Sequence, residues 1–457
     1  MKDLVVIGGG PAGYVAAIRA SQLGMGVLLA EKDSLGGACL NRGCIPTKSY
    51  YQNASVLRTL NRLQDFNVAA GEIAFDMEGA HRRKNKIVCG LVAGIEKLLQ
   101  ANHVEVAAGE AAIVSPDSVM VNGQEIKTRR ILIATGSCSA KPPIPGAELP
   151  GVMTSDQLLE LTAVPPRLAI IGGGVIGLEF ACIFQAFGSR VTIFEFQPDI
   201  LGNMDREIVK RMGVYLKKQK IKVLTATAVK GIEKTPDGLS LTAAGKKGEL
   251  RCTVDQVLMA VGRKPYTRGV GIEDVGIACR HGFITVNDDF ETSVPGIYAV
   301  GDVIAGPMLA HLASEEGIVA VERMAGLNSK VDYEAVPSCI FTFPEIAAVG
   351  LTQEEMESRG MDISVGRFSF MANGKAAAMG EKDGMVKVLA DTDHVLRGVH
   401  IIGPHASDLI QEAAVIVSKR MKLEDVIAVI HPHPTLGEAL HEAVLDAAGR
   451  AIHVARA

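Results

Sequence analysis

Apolar residues run without a break from Leu4 to Ile7 of "DLVVI" (3–7), give way to glycines, return every three or four positions, and run unbroken again from Val27 to Ala30 of "VLLAEK" (27–32). Short continuous apolar runs suit strands covered on both faces, and the wider period between them suits a helix. The pattern predicts strand, glycine turn, helix, strand. It then recurs in "RLAIIGGGVIGLEF" and "RVTIFEF". The first copy carries Gly8, Gly10, Gly13 and Glu31, and the second carries Gly172, Gly174, Gly177 and Glu195. Each member of the second set lies 164 residues after its counterpart, and each acid lies 23 residues after its first glycine.

A single G-x-G-x-x-G is compatible with an ordinary tight turn, but two copies, each followed by an acid at the same interval, predict two Rossmann-like dinucleotide-binding units. The first glycine permits the turn, the second lets backbone approach a pyrophosphate, and the third lets helix pack on strand. The helix N-terminus adds amides and positive dipole. Glu31 and Glu195 would accept hydrogen bonds from ribose hydroxyls. A carboxylate at Glu195 repels a 2′-phosphate, and the following "FQPD" offers no arginine to bind one, so the second unit should prefer NAD to NADP.

Two dinucleotides on one chain suggest electron traffic, with one of them a bound flavin, FAD. The apolar strands "ILIATG" (131–136) and "TSVPGIYAVGDV" (292–303) end in small residues where a nucleotide can come close. Candidate cofactor contacts are Ala134, Thr135 and Gly136; Asp302; Met308, Leu309, Ala310 and His311; and Gly262. Asp302 also suits a helix N-cap, a compatible role. Proline-rich "AKPPIPGAELPG" (140–151), "GRKPYTRG" (262–269) and a shift near 326–337 divide the chain. The expected order is a first FAD-binding part at 1–145, an NAD-binding unit at 146–265, the resumed FAD-binding part at 266–336, and a C-terminal α+β unit at 337–457.

A length of 457 residues suits two to four domains. A net charge of −4 without a basic patch argues against nucleic acid. The first ten residues read as a strand entering a turn rather than a signal peptide, and no apolar run approaches the ~20 residues of a membrane span. The expectation is a soluble protein of a reducing cytoplasm with no membrane contact. Of its eight cysteines, six (Cys89, Cys138, Cys182, Cys252, Cys279, Cys339) stand singly and are expected to be small core residues.

Cys39 and Cys44, in "GGACLNRGCIPTK", are different. Five apart on a regular helix, their Cα atoms would lie roughly 8.6 Å from each other, beyond the ~7 Å reach of a disulfide. Gly36, Gly37 and Gly43 allow a tighter loop, with Gly43 expected at positive φ between the thiols. Pro46 suits the first turn of a helix starting near Cys44, whose positive end would favour a Cys44 thiolate. Lys48 follows one turn along. A zinc site would need two more ligands at suitable spacing, and a structural disulfide would suit an oxidising compartment; a redox-active dithiol fits the glycines and proline better, and no metal is expected. In "HPHPTLGE" (431–438), a carboxylate such as Glu438 would orient one imidazole, either His431 or His433.

"GGACLNRGCIPTK" closely resembles the redox motif of the flavoprotein disulfide reductases. The likeness continues through "GGGVIGLEF", "YAVGDV" and "HPHPTLGE" and covers nearly the entire chain. Over "GVHIIGPHASDLIQEAA" (398–414) it is most similar to members that oxidise protein-bound dihydrolipoyl groups. The resemblance implies that Cys39 meets the substrate and Cys44 the flavin, that Lys48 lies near the flavin paired with Glu179, and that His433 is the base, oriented by Glu438. It further implies a lipoyl-bearing protein of a 2-oxoacid dehydrogenase or glycine cleavage system as partner, docking in trans. It also implies a homodimer in which His433 enters the neighbouring chain's site, with 408–418 and 438–448 as candidate interface. Arg42, Pro432 and Gly437 stand where the family often has valine, alanine and serine. Glutathione-reducing members use NADPH, against which Glu195 argues; mercuric reductases usually carry a C-terminal cysteine pair, whereas the last cysteine here is Cys339. Presence of both cysteines, Lys48, His433 and Glu438 argues against a catalytically silent flavoprotein.

Overall fold

A computed structural model describes residues 1–246 and 248–454. The two apolar repeats form the centres of two parallel sheets. In the first, the order is Ile297–Ala299, Ile131–Ile133, Leu4–Ile7, Val27–Glu31, Glu105–Ala108. Leu4, Val5 and Val6 are fully buried, which is why this strand shows no alternation. One face is covered by the helix Pro11–Gln22, and the helix Ala310–Met324 packs on that helix so closely that a Cβ at Gly317 would lie 2.6 Å from the Ala12 carbonyl oxygen.

The second sheet runs Lys222–Leu224, Arg190–Phe194, Arg167–Ile171, Gln256–Met259, Val152–Met153, again parallel. Because the strand Ile297–Ala299 joins the first sheet from beyond the second, the second unit is inserted into the first. The C-terminal residues form an antiparallel sheet ordered Ser338–Ile340, Glu345–Gly350, Leu396–Gly403, Met385–Ala390, Ser364–Ser369. Every residue of Met385–Ala390 is buried.

Two buried lysines tie the inserted unit to its neighbours. Lys84, from the helix Met77–Ala101, donates to the Leu159 carbonyl at 3.0 Å and to Glu160 at 2.6 Å. Lys387, from the C-terminal sheet, reaches Asp205 at 2.7 Å, and both side chains are essentially without solvent contact. Asp205 also caps the helix Arg206–Lys218 by accepting the Glu207 N–H.

One expectation needs correction and another is narrowed. Only Cys182 among the single cysteines is buried; Cys89 and Cys279 are exposed and the other three half-buried, because a side chain this small is carried to the surface with its local backbone. The helix Glu438–Ala447 spends its apolar side, Ala439, Leu440, Ala443 and Val444, on its own sheet, so those residues are already covered within one chain. Apolar exposure in the C-terminal unit lies at Val415, within the expected 408–418 stretch, at Val429, Met371 and Ile452, and above all at Ile430, which is 94% exposed. Among the described residues no helix is long and apolar enough to cross a membrane.

Candidate active site

The glycine turns divide into two kinds of position. Gly8 and Gly172 sit at φ +107° and +114°, and a Cβ there would strike the carbonyls of Ala134 and Ala260. Gly13 and Gly177 are similarly closed off by the carbonyls of Gly8 and Gly172. The middle glycines face open space: a Cβ at Gly174 would meet nothing within 4 Å, and one at Gly10 only the Gly37 Cα at 3.8 Å. These two residues cap the helices Pro11–Gln22 and Val175–Ala186. Each turn thus leaves free the one place where a pyrophosphate would lie against helix-end amides.

The acids are gripped alike. Glu31 accepts the N–H of Gly9 at 2.6 Å and of Asp33 at 2.8 Å; Glu195 accepts those of Gly173 at 2.5 Å and Gln197 at 2.6 Å. Burial pushes the Glu31 carboxyl above its ordinary value against the pull of the Gly9 amide. A cleft of about 480 Å³ opens beside Glu31, lined also by Ser34, Leu35, Val92 and Gln100. This open groove next to a fixed carboxylate fits the adenosine end of FAD.

The other candidate cofactor positions cluster at the strand ends. Ala134 lies against Gly8, and Thr135 donates to the Tyr266 carbonyl at 2.6 Å. Gly136 and Gly262 both have positive φ, +68° and +106°. Met308 and Leu309 lead into the helix beginning at Ala310, where His311 contacts the Pro337 carbonyl at 2.8 Å. Asp302, in the one-turn helix Gly301–Val303, accepts from the Ser137 hydroxyl at 2.5 Å, and that hydroxyl in turn accepts from Arg263 at 2.7 Å. Sequence reading missed Ser137 and Arg263, although each directly follows a glycine it singled out.

The thiols lie on either side of a break between two helices, Gly37–Arg42 and Cys44–Leu60. Gly43 is at φ −137°, not the positive value expected; the left-handed residues are Gly36 and Gly37, at +89° and +58°. Space rather than the sign of φ requires glycine at 43, since a Cβ there would lie 2.9 Å from the Ala38 carbonyl oxygen and 3.3 Å from the Cys39 Cα. Both cysteines are free thiols. The Cys39 thiol donates to Cys44, which pushes Cys39 up and Cys44 down; the Lys48 ammonium lowers Cys44 further, against burial and the Glu179 charge. Cys44 is also the first residue of its helix, where the dipole favours a thiolate.

Lys48 bonds both Glu179 oxygens, at 2.9 and 3.0 Å, and lies 4.6 Å above the Phe341 ring. The Phe341 N–H donates to Glu179 at 3.0 Å, so the C-terminal unit also braces this pair, a contact no spacing announces. Arg42 pairs with Asp33.

The geometry separates the two histidines that sequence left open. His433 Nδ1 meets Glu438 at 2.8 Å and its ring is 77% exposed. Glu438 is held below its ordinary value because the Thr435 amide and His433 outweigh the effect of burial. His431 is turned inward, bonded to Glu412 at 2.8 Å and stacked on His441 at 4.6 Å. His433 is the one free to meet a reactant. Among the described residues no group of three or more His, Cys, Asp or Glu side chains is arranged to hold a metal ion.

Residues 2–317 match the family model of the pyridine nucleotide-disulphide oxidoreductases, and 336–444 match the dimerisation domain of the same oxidoreductases. The dihydrolipoyl dehydrogenase of Bacillus subtilis is 41% identical, with 99% of each chain covered. That of Thermus scotoductus is 41% identical over 99% of this chain and 98% of its own. Among solved structures, LpdA from Mycobacterium tuberculosis superposes with a TM-score of 0.89 at 26% identity, covering 97% of this chain and 99% of that one. The HOCl-induced flavoprotein disulfide reductase RclA from Escherichia coli gives 0.87 at 29%, with the same coverage.

Proposed function

The chain belongs to the pyridine nucleotide-disulphide oxidoreductases, and on that footing we propose that it is a dihydrolipoyl dehydrogenase, using FAD and NAD⁺ to oxidise dihydrolipoyl groups carried on a partner protein. Full-length relatives of that name support the activity. The observation that carries the residue roles is Cys44, at a helix N-terminus beside Lys48, with Cys39 donating to it.

With Cys39 and Cys44 joined as a disulfide, His433 takes a proton from the incoming dithiol, and the resulting thiolate attacks the Cys39 sulfur. The Cys39–Cys44 bond breaks and Cys44 leaves as a thiolate, favoured by Lys48 and the helix end. The second lipoyl sulfur then loses its proton and attacks the first, closing the lipoyl disulfide and releasing Cys39, which takes up a proton. Glu438 keeps the His433 ring aimed and stabilises its imidazolium. Bound FAD is the two-electron carrier between the Cys44 thiolate and NAD⁺. Gly10, Glu31 and Asp302 would hold FAD; Gly174 and Glu195 would hold NAD.

In this reading residues 1–145 and 266–336 bind FAD, 146–265 bind NAD, and 337–457 pair two copies, each lending His433 and Glu438 to the other's site. The exposed His433 ring and Ile430 support that arrangement. The partner is a lipoyl domain of a 2-oxoacid dehydrogenase or glycine cleavage system, and the compartment is the cytoplasm. The direct test is NADH formation from dihydrolipoamide with the purified protein, together with a long-wavelength thiolate-to-flavin band on anaerobic reduction. A flavin-loaded protein lacking both would overturn the proposal.

A further inference from the structure

Glu316 is a buried carboxylate that the relay does not use. It lies on the helix Ala310–Met324, is 3% exposed, and makes two hydrogen bonds, one of them to the flavin-side loop. One oxygen accepts the Gly301 N–H at 2.8 Å and the other accepts the Tyr333 hydroxyl at 2.9 Å. Gly301 immediately precedes Asp302. Its φ is +74°, and a Cβ there would lie 3.3 Å from that of Ala12 and 3.2 Å from that of Ala313. The turn is therefore wedged between the helix that begins at the pyrophosphate cradle and the helix that carries Glu316.

Burying a carboxylate is costly unless its oxygens are bonded. Burial pushes Glu316 above its ordinary value, and the Gly301 amide and the Tyr333 hydroxyl work against that. The Asp302 carboxylate is in turn aimed by the Ser137 hydroxyl, itself held by Arg263. Glu316 holds the backbone while Ser137 holds the side chain.

We propose that Glu316, backed by Tyr333, is a positioning residue for the flavin, fixing the Gly301–Asp302 turn so that Asp302 presents its free oxygen to a hydroxyl of the FAD ribityl chain. This rests on the reading that the first unit binds FAD. Tyr333 belongs to the short helix Tyr333–Ala335 at the entry to the C-terminal unit, so the same carboxylate ties the cofactor loop to that junction.

The test uses the full-length protein as Glu316→Leu, Glu316→Gln and Tyr333→Phe, and measures the FAD dissociation constant by flavin fluorescence and melting temperature with and without added FAD. Glu316→Leu should weaken FAD binding by about tenfold or more, a loss the size of one or two hydrogen bonds to a charged group. Glu316→Gln keeps one acceptor and Tyr333→Phe keeps the Gly301 bond, so each should cost about threefold. The rise in melting temperature on adding FAD should shrink in the same order. Unchanged FAD affinity across the series, or a melting loss equal with and without FAD, would overturn the proposal. If Glu316→Leu does not fold, wild-type affinity in both remaining variants overturns it. A folded wild-type protein that binds no FAD would instead remove the reading beneath it.

Discussion

The Lys48 ammonium meets both carboxylate oxygens of Glu179, 131 residues away, across the junction between the two glycine-turn units. It also lowers the proton affinity of the Cys44 thiol, while Glu179 raises it. One lysine thus joins the electrostatics of the thiol to the packing of the inserted unit. Lys48→Met should raise the pKa of Cys44, because the cation that favours the thiolate is gone. In the reduced enzyme the long-wavelength thiolate-to-flavin absorbance should then appear only at higher pH than in wild type. An unshifted absorbance titration would detach Lys48 from the thiolate.

Replacing the thiols one at a time assigns them. Cys44→Ser should bind FAD and lose the long-wavelength band, since a hydroxyl is not ionised near neutrality. Cys39→Ser should keep the band and lose dihydrolipoamide oxidation. Visible spectra of both proteins at matched flavin content decide the matter, and a band surviving in Cys44→Ser would mean that another thiol faces the flavin.

Glu195 is expected to set cofactor choice. Wild type should favour NADH strongly over NADPH in kcat/KM, and Glu195→Ala should erode that preference by about tenfold or more, roughly 1.4 kcal/mol per factor of ten. Steady-state kinetics with both nucleotides measure it; equal use of the two by wild type would remove the assignment.

The shared site can be tested by complementation. His433→Gln alone should lower kcat by about 10²–10⁴-fold. When Cys39→Ser and His433→Gln chains are produced together, a mixed dimer has one doubly defective site and one intact site. Random pairing makes half the dimers mixed, so about one quarter of wild-type activity should return if the sites act independently. Verified mixed dimers without activity would place the histidine and cysteines in one chain's site.

The buried Lys387–Asp205 pair carries a stability prediction. Lys387→Met leaves Asp205 charged and without its cation, which should cost about 3–5 kcal/mol, while the double variant with Asp205→Asn should recover much of that. Burial opposes ionisation of Asp205, yet Lys387 holds its pKa below the ordinary carboxylate value. The stabilisation is therefore present above the unfolded-state pKa and is lost as pH falls through the depressed folded value. Denaturant unfolding from neutral to acid pH should show wild type and the double variant converging at low pH; curves that stay parallel would contradict this.

The repeated strand–glycine–helix–strand order was legible because backbone geometry demands glycine at fixed places and leaves a spacing behind. The Lys48–Glu179 pairing had no such trace, since two polar residues on separate helices share no period; only family resemblance suggested it. Gly43 was singled out correctly and for the wrong physical reason, crowding by Ala38 and Cys39 being invisible until the two helices are placed. His431 and His433 were indistinguishable as letters and differ in three dimensions by the direction each ring faces. Nothing in the sequence marks Lys84 and Lys387 out from other lysines, and they are buried because each finds an acid on another unit.

Glu31 and Glu195 are each fastened by main-chain N–H groups, at matching offsets, rather than by neighbouring side chains. A carboxylate held in this way takes its aim from the path of the chain alone. Side chains around it can change without turning it, as Leu35 beside the first and Ile200 beside the second already illustrate. The turn therefore behaves as a transplantable part, tolerant of mutational drift in its surroundings and intolerant of an insertion within Glu31–Asp33 or Glu195–Gln197, where the second amide is supplied.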